Sequence, residues 1–546
     1  MPEKTYTLTA ALPYANGPIH IGHVAGVYLP ADIYARYQRK KKNEVAFICG
    51  SDEGGIAITL AAKKLRITPQ DLVNKYHAIN QKALYDFGIS FDIFSRTSSP
   101  RHHQIARDFF LTLHEKGVLE WHEREAYYDE KEKIFLADRY IQGICPKCSY
   151  ESAYGDQCEQ CGCTLSPDEL IAPNSTLTGT RPVKRKTGHW YMPLSRYEYW
   201  LRDWILKDGK RWKSNVYGQC KSWLDQGLVS RAITRDLDWG VAVPLEEAKG
   251  KALYVWFEAP IGYISATQIW AEAHDKDWKR FWKDPKTKLI HFAGKDNIVF
   301  HCIIFPAMLK AHEGYILPES VPANEFMNLE GQKISTSRGH AIWLHEYLAK
   351  YTDQQDVLRY MLCACMPETK DSDFTWQVFK ERNNHELVAT LGNFVHRTLT
   401  LVHKYFEGKV PHRGVLQSVD ERILVQIEKI DGQIGEAIEG FRFREALSVW
   451  MQLAHMGNKY LAEMMPWKSF KEDRVRTGTT LYIATQLIGY IASFGSPFLP
   501  FTCEKINGML NIFNQGKGFG YDGELVPAGH GLDKPVLLFR KLEGDV

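Results

Sequence analysis

Residues 6–23 read Tyr6-Thr7-Leu8-Thr9-Ala10-Ala11-Leu12-Pro13-Tyr14-Ala15-Asn16-Gly17-Pro18-Ile19-His20-Ile21-Gly22-His23. Residues 6–12 mix Thr with apolar side chains, the composition of a buried strand. Residues 13–18 carry Pro, Asn and Gly, which favour a turn. From 21 to 39, Val24, Val27, Tyr28, Ala31 and Ala35 recur at helical spacing. Residues 44–49 predict a second strand, and Gly50-Ser51-Asp52-Glu53-Gly54-Gly55 is the loop at its end. Strand, turn, helix, strand is a βαβ unit, so the fold class is α/β with a parallel sheet.

Outward from this unit the pattern changes twice. Between about 112 and 235, Trp, Tyr, Cys and short apolar runs dominate, as in an inserted domain. Strand-like runs return at 253–257 and 289–293, which predicts one parallel sheet interrupted by an insertion. From about 376 the chain reads as helices. Leu387, Leu391, Phe394, Val395, Leu399, Val402 and Phe406 mark one face. Ile423, Ile427, Ile430, Ile434 and Ile438 mark a second, and Leu447, Trp450, Met451, Ala454 and Leu461 a third. That spacing predicts a helical bundle.

The chain has 546 residues, enough for about three to five domains at roughly 100–200 residues each. It carries 68 basic and 65 acidic side chains, net +3, so any nucleic-acid partner is met by local patches rather than bulk charge. No run approaches the roughly 18 apolar residues of a membrane span. The N-terminus lacks a signal-peptide pattern and the C-terminus a lipidation cysteine, so the expected location is the cytoplasm, with no membrane partner.

Three segments carry chemistry. His20 and His23 lie three apart at a helix start, with Gly22 between them. A helix N-terminus offers positive partial charge and free N–H groups to a phosphate, and imidazole N–H donors beside it can stabilise a transferring phosphoryl group. Alone, the pair can equally be structural. Gly331-Gln332-Lys333-Ile334-Ser335-Thr336-Ser337-Arg338-Gly339 offers backbone N–H groups, hydroxyls and cations to a polyphosphate. Alone, it can equally be a solvated turn. The third is the pair of CxxC motifs, Cys145–Cys148 and Cys158–Cys161, nine residues apart among 11 cysteines. Four thiolates so spaced suit tetrahedral Zn2+ better than redox chemistry, and Cys163 is near enough to replace a ligand.

The order His-Ile-Gly-His, then Lys-Ile-Ser-Thr-Ser about 300 residues on, resembles the two signatures of class I aminoacyl-tRNA synthetases. Within that class, residues 10–17, Tyr254-Val255-Trp256-Phe257-Glu258-Ala259-Pro260-Ile261-Gly262-Tyr263, Gly294-Lys295-Asp296-Asn297-Ile298-Val299-Phe300-His301, the four-cysteine knuckle and Met465-Pro466-Trp467 resemble the methionyl-tRNA synthetase family. The resemblance spans about residues 5–510. It implies a Rossmann-type catalytic domain split by a zinc-knuckle insertion, then a stem-contact fold and an all-α anticodon-binding bundle. The expected division is 1–111 and 236–325 for the two catalytic halves, 112–235 for the insertion, 326–385 for the stem-contact fold and 386–546 for the bundle.

The implied partners are methionine, ATP with Mg2+, and tRNA(Met) with a CAU anticodon. One structural Zn2+ is implied at Cys145, Cys148, Cys158 and Cys161. The implied product is methionyl-tRNA, made through a methionyl adenylate and transfer to the terminal ribose 2′-hydroxyl. His20, His23, Lys333, Ser335, Thr336 and Arg338 are the implied catalytic residues. Gly22, Gly294 and Asp296 join His20, His23, Lys333 and Thr336 at ATP. Leu12, Tyr14, Asp52, Trp256, Ala259, Pro260, Tyr263 and His301 match positions used for methionine. Phe300 joins them on aromatic–sulfur grounds, though aromatic residues at strand ends can also be core. Asn393, Arg397 and Trp467 match anticodon-reading positions; without the resemblance Trp467 reads as a helix-start core residue.

Three positions depart from the family. Thr336 stands where a second lysine is usual, Gly54 where many members have histidine, and Asn297 where some have an aliphatic residue. Arg235 is a weaker candidate near the pyrophosphate. The run Arg39-Lys40-Lys41-Lys42 reads as a solvated helix end or an RNA contact, and residues 181–186 as an acceptor-stem contact. The alternatives are another class I synthetase, or a tRNA-binding paralogue that has lost catalysis. The closed Cys₄ knuckle argues against a cysteinyl enzyme, and the length against the large aliphatic enzymes. A monomer is expected, with a homodimer where a C-terminal domain exists.

Overall fold

The computed structural model describes all residues except 1–2, 137, 156–157, 159, 162, 164, 209–211, 336–338, 513–519, 521–522 and 545–546. Five parallel strands lie in the order Pro318–Ser320, Lys288–Gly294, Thr5–Ala10, Glu44–Ser51, Ile93–Arg96. Ala323–Asn324 also pairs with Lys288–Gly294. Thr5–Ala10 is buried throughout and Glu44–Ser51 almost so, as strands covered on both faces must be. The chain leaves Thr5–Ala10 toward one edge and returns beside it as Lys288–Gly294. The crevice outside the carboxyl ends of those two strands is where such sheets hold ligands.

One expected strand is corrected. Residues 253–257 do not extend the parallel sheet. The strand is only Lys251–Leu253, paired antiparallel with Thr234–Asp236, and Val255–Glu258 turns into a helix. The aromatic run resembled a strand by composition, but it is a helical step leading to Pro260 and the buried helix Ile261–Ala273.

The insertion projects as a long antiparallel ribbon, Glu120–Asp129 against Val183–Met192. Beyond it a three-stranded sheet of Ile141–Ile144, Ala153–Tyr154 and Ile171–Ser175 packs a small core that includes Cys145 and Cys158. The C-terminal part is a bundle of Asn393–Phe406, Ser418–Glu439, Phe443–Met464, Arg474–Gly495 and Pro500–Met509. The isoleucine stripe from Ile423 to Ile438 is buried, as its spacing predicts. Arg474–Gly495 is buried almost all round, so it shows no stripe to read in sequence.

The bundle is docked on the sheet domain. Lys41 pairs with Glu439 at 2.7 Å, Lys40 Nζ donates to the Ser493 carbonyl at 2.5 Å, and Arg39 pairs with Asp92 at 2.7 Å. Lys40 and Lys41 therefore fasten the bundle to the sheet domain, while Arg39 ties its helix to the start of Ile93–Arg96, roles neither reading of the sequence assigned. No helix among the described residues is long and apolar enough to cross a membrane.

Candidate active site

The helix that follows the first strand starts with a reciprocal cap. His20, in extended conformation, takes the His23 backbone N–H on its Nδ1 at 3.3 Å, and His23 Nδ1 takes the His20 N–H at 3.2 Å. The rings stack 3.6 Å apart. Because each Nδ1 accepts, each neutral ring carries its proton on Nε2. Burial holds His20 down to about 2, aided by His23, and burial alone holds His23 at about 4. Both rings are therefore neutral donors at pH 7.

Gly22 joins the two signatures. A Cβ there would lie 3.0 Å from the His20 ring and 3.1 Å from Ile334 Cδ1, so the distant loop packs directly on the glycine. The backbones also pair: Ile21 N–H donates to the Ile342 carbonyl at 3.0 Å and Leu344 N–H to the Ile19 carbonyl at 2.9 Å. Ser335 and His340 exchange backbone hydrogen bonds at 2.9 and 3.1 Å, closing the loop. Lys333 is exposed at its start, 5.6 Å from the Phe326 ring centre. Thr336 and Arg338 lie outside the described residues.

Gly294 ends its strand at the same crevice. A Cβ on it would lie 2.6 Å from Asp296 Oδ1, so the acidic side chain folds over the glycine. Lys295 next to it is engaged by Glu325 and Asp371 at 2.8 and 2.9 Å. Arg235 lies 3.9 Å over the Tyr254 ring and donates to two backbone carbonyls.

The loops carrying Tyr14 and Asp52 are zipped together. Ala15 N–H donates to the Asp52 carbonyl and Asp52 N–H to that of Pro13, both at 2.9 Å. Asp52 Oδ1 accepts the Gly54 N–H at 3.3 Å. Burial, then neighbouring carboxyl groups, push Asp52 well above the usual carboxylate range.

Trp256 and Phe300 meet at 4.4 Å between ring centres. Tyr263, Ala259 and Pro260 are buried, and Gly262 lets Leu12 Cδ1 approach to 3.3 Å of where a Cβ would stand. His301 Nδ1–H donates to the Asn297 carbonyl at 2.9 Å, so its Nε2 accepts the Tyr263 hydroxyl at 2.9 Å. This group of aromatic, aliphatic and imidazole side chains lies beside a buried carboxyl, as an apolar amino acid requires.

Nothing in sequence spacing placed Glu258 and His102 here, yet both are buried at the Gly54 loop, bonded at 2.8 Å. Glu258 lies inside a quoted motif; His102 comes from a helix that carried no motif at all.

The anticodon candidates sit apart, in the bundle. Arg397 lies 4.1 Å over the Trp467 ring, and Asn393 is exposed one turn earlier. Trp467 is only half-buried, so it is not simply core. Single π-helical stretches, a local irregularity frequent at functional sites, occur at Val24–Tyr28, Phe300–Ile304 and Asn383–Gly392, each touching one of the three candidate groups.

In the knuckle, the sulfurs of Cys145, Cys148, Cys158 and Cys161 all lie within 4.8 Å of one another. Cys145–Cys161 is 3.9 Å and Cys148–Cys158 3.6 Å, close to the ~3.8 Å edge of a tetrahedron with Zn–S of about 2.3 Å. Donor type and spacing thus fit Zn2+. Cys163 is 3.3 Å from Cys161 and 3.8 Å from Cys145, at the edge of the set.

Residues 6–399 match the family model of tRNA synthetases class I (M), and residues 410–546 that of the anticodon binding domain of methionyl tRNA ligase. The methionine–tRNA ligase of Bacteroides fragilis (strain YCH46) is 57% identical over 540 residues, 99% of this chain and 79% of that protein. That of Parabacteroides distasonis is 58% identical over 543 residues, 100% of this chain and 80% of its own. The fold matches that of Mycobacterium tuberculosis methionyl-tRNA synthetase bound by methionyl-adenylate, with a TM-score of 0.82 at 24% identity, covering 98% of this chain and 100% of the other. With the sheet, both signatures and both domain models in series, the chain belongs to the class I (M) tRNA synthetases.

Proposed function

We propose that this chain charges tRNA(Met) with methionine in two steps at the expense of one ATP. A methionine carboxylate oxygen attacks the α-phosphorus of ATP in line. The bond to the bridging oxygen breaks, giving methionyl adenylate and pyrophosphate. The terminal ribose 2′-hydroxyl of tRNA then attacks the methionyl carbonyl and loses its proton, and AMP leaves.

Positioning and electrostatic stabilisation supply most of the rate in such phosphoryl chemistry. His20 and His23 present two Nε2–H donors to the α-phosphate at a helix N-terminus. Lys333, with Arg338 and Thr336, holds the outgoing pyrophosphate, and Ser335 closes that loop. Asp296 and Gly294 border the nucleotide. Asp52 pairs with the methionine ammonium, while Leu12, Tyr14, Trp256, Ala259, Pro260, Tyr263, Phe300 and His301 surround its thioether side chain. Mg2+ would arrive on the phosphates of ATP and neutralise part of their charge; among the described residues only the four cysteines form a ready metal-binding group. Cys145, Cys148, Cys158 and Cys161 would hold Zn2+, which would serve to hold the insertion together rather than take part in the reaction. In the bundle, Trp467 stacks an anticodon base while Asn393 and Arg397 read base edges of CAU. The working division remains that of the sequence: catalytic halves at 1–111 and 236–325, insertion 112–235, stem-contact fold 326–385, bundle 386–546.

The observation that carries this reading is the contact of Gly22 with Ile334, which sets two motifs about 300 residues apart against one crevice. Methionine-dependent ATP–pyrophosphate exchange tests it. Exchange driven by another amino acid points to a different class I specificity, and tRNA binding without exchange to a paralogue that has lost catalysis.

A further inference from the structure

Gly54 and Glu258 are sterically matched. A Cβ at residue 54 would stand 2.5 Å from Glu258 Oε1, so the glutamate carboxyl occupies the space a side chain there would need. Glu258 is 1% exposed and His102 0%. Glu258 Oε2 lies 2.8 Å from His102 Nε2, and His102 Nδ1 lies 2.9 Å from Ser265 Oγ. Ser265 Oγ also lies 3.1 Å from the Gly262 carbonyl, which can only accept.

With the Ser265 hydroxyl donating to Gly262, its oxygen accepts from His102 Nδ1–H, and a single proton shared on the Glu258–His102 axis makes the pair net neutral. Burial pushes the Glu258 carboxyl up and holds His102 at about 3, which favours the uncharged acid with an uncharged ring.

We propose that Glu258 is a positioning residue for the amino-acid ammonium: it fills the space left at Gly54 and, locked to His102, holds the Asp52 loop where Asp52 meets the substrate. This rests on the methionine reading of the site. The pairing also accounts for a loop with glycine at 54, because any larger residue would displace the Glu258 carboxyl from beside Asp52.

The test is ATP–pyrophosphate exchange with the full chain, reading the KM values of methionine and ATP separately. Glu258→Ala is expected to raise the methionine KM about tenfold with the ATP KM within about twofold. Glu258→Gln, which keeps the length and a donor to His102, restores most of that loss. Gly54→Ala raises the methionine KM, yet Gly54→Ala/Glu258→Ala is no worse than Glu258→Ala, because the colliding carboxyl is gone. An unchanged methionine KM in a folded Glu258→Ala overturns the proposal. So does Glu258→Gln as defective as Glu258→Ala, since the charge itself would then be acting, and so do additive effects of the two sites. Where Glu258→Ala fails to fold, Gly54→Ala and Gly54→Ala/Glu258→Gln decide, and a methionine KM unmoved by Gly54→Ala overturns it. A wild-type chain with no methionine-dependent exchange overturns the methionine reading instead.

Discussion

His20 and His23 each accept the other's backbone N–H on Nδ1, at 3.3 and 3.2 Å, so one pair of side chains both starts the helix and fixes its own tautomers. Both Nε2–H groups are thereby committed as donors. Held at about 2 and about 4, the rings stay neutral through the physiological range. His23→Ala removes a donor and a cap together. It should lower the exchange rate by about 10²–10³-fold, the usual cost of one transition-state donor, and the helix start by about 1 kcal/mol. Rapid-quench measurement of adenylate formation should show no titration near pH 6.5 attributable to either ring, and a loss beginning only as pH falls toward 4.

Asp52 makes opposite demands on stability and binding. Its folded-state value is raised, so the native chain keeps a proton that the unfolded chain releases above about pH 4. The stabilisation is complete below that pH and is lost as pH rises through the raised folded value. Asp52→Asn should therefore melt higher than wild type at pH 8, with the gap closing toward pH 4. The same variant should raise the methionine KM about a hundredfold, consistent with loss of a charge-assisted bond of ~1.5–3 kcal/mol. Thermal unfolding across pH, with exchange kinetics on the same preparations, checks both signs.

The cysteine knuckle should bind one Zn2+ per chain. Cys148→Ser breaks the compact four-sulfur set and should lower metal occupancy by more than half. Limited proteolysis should then cut within the insertion while the sheet domain stays intact, because the small core around Cys145 and Cys158 has few other apolar residues. Native mass spectrometry before and after chelation reads the stoichiometry directly.

What the sequence disclosed and what it hid divide along physical lines. His20, Gly22 and His23 are legible as one short literal motif, and Lys333 as part of a second about 300 residues on. The isoleucine stripe from Ile423 to Ile438 is legible because that helix has one wet face. Arg474–Gly495 lacks such a face and so lacks a stripe. Residues 253–257 mislead because an aromatic run suits a strand by composition, while the pairing with Thr234–Asp236 ends at Leu253. Contacts between residues far apart in the chain, Gly22 on Ile334 or Glu258 on His102, leave no local periodicity. Lys40 and Lys41 show the same limit, since a helix end that docks on another domain has the composition of one facing water.

Asp32, on the helix that His20 starts, joins the two halves of the molecule. Arg359 donates to it at 2.7 Å and to the carbonyls of Phe498 and Pro497 at 2.8 and 3.1 Å, with no exposure of either side chain. Asp32 also holds Arg36 at 2.8 Å. Without Arg359, Asp32 still keeps Arg36 and the Ser90 N–H and hydroxyl, at 2.8 and 2.6 Å, so the cost falls below the roughly 3–5 kcal/mol of stranding a lone buried charge. Arg359→Met should lower the denaturation midpoint accordingly. Asp32→Asn/Arg359→Met should be less stable still, because Arg36 then loses the carboxylate that holds it.

On the proposed reading of the bundle, Arg397 and Trp467 separate recognition from activation. The guanidinium lies 4.1 Å over the indole ring in the bundle, in a different part of the molecule from the His20–His23 pair. An aromatic face that stacks an unpaired base contributes about 1–3 kcal/mol. Trp467→Ala should therefore reduce kcat/KM for tRNA charging by about 10–100-fold while methionine-dependent exchange without tRNA stays within twofold of wild type. Arg397→Ala should weaken charging as well and should flatten its salt dependence if the cation meets phosphate as well as base. Both assays on the same preparations check the split. A parallel loss of exchange would mean that the pair holds the bundle together rather than reading tRNA, and the interdomain contacts of Lys40, Lys41 and Arg359 give such a defect a route to the catalytic domain.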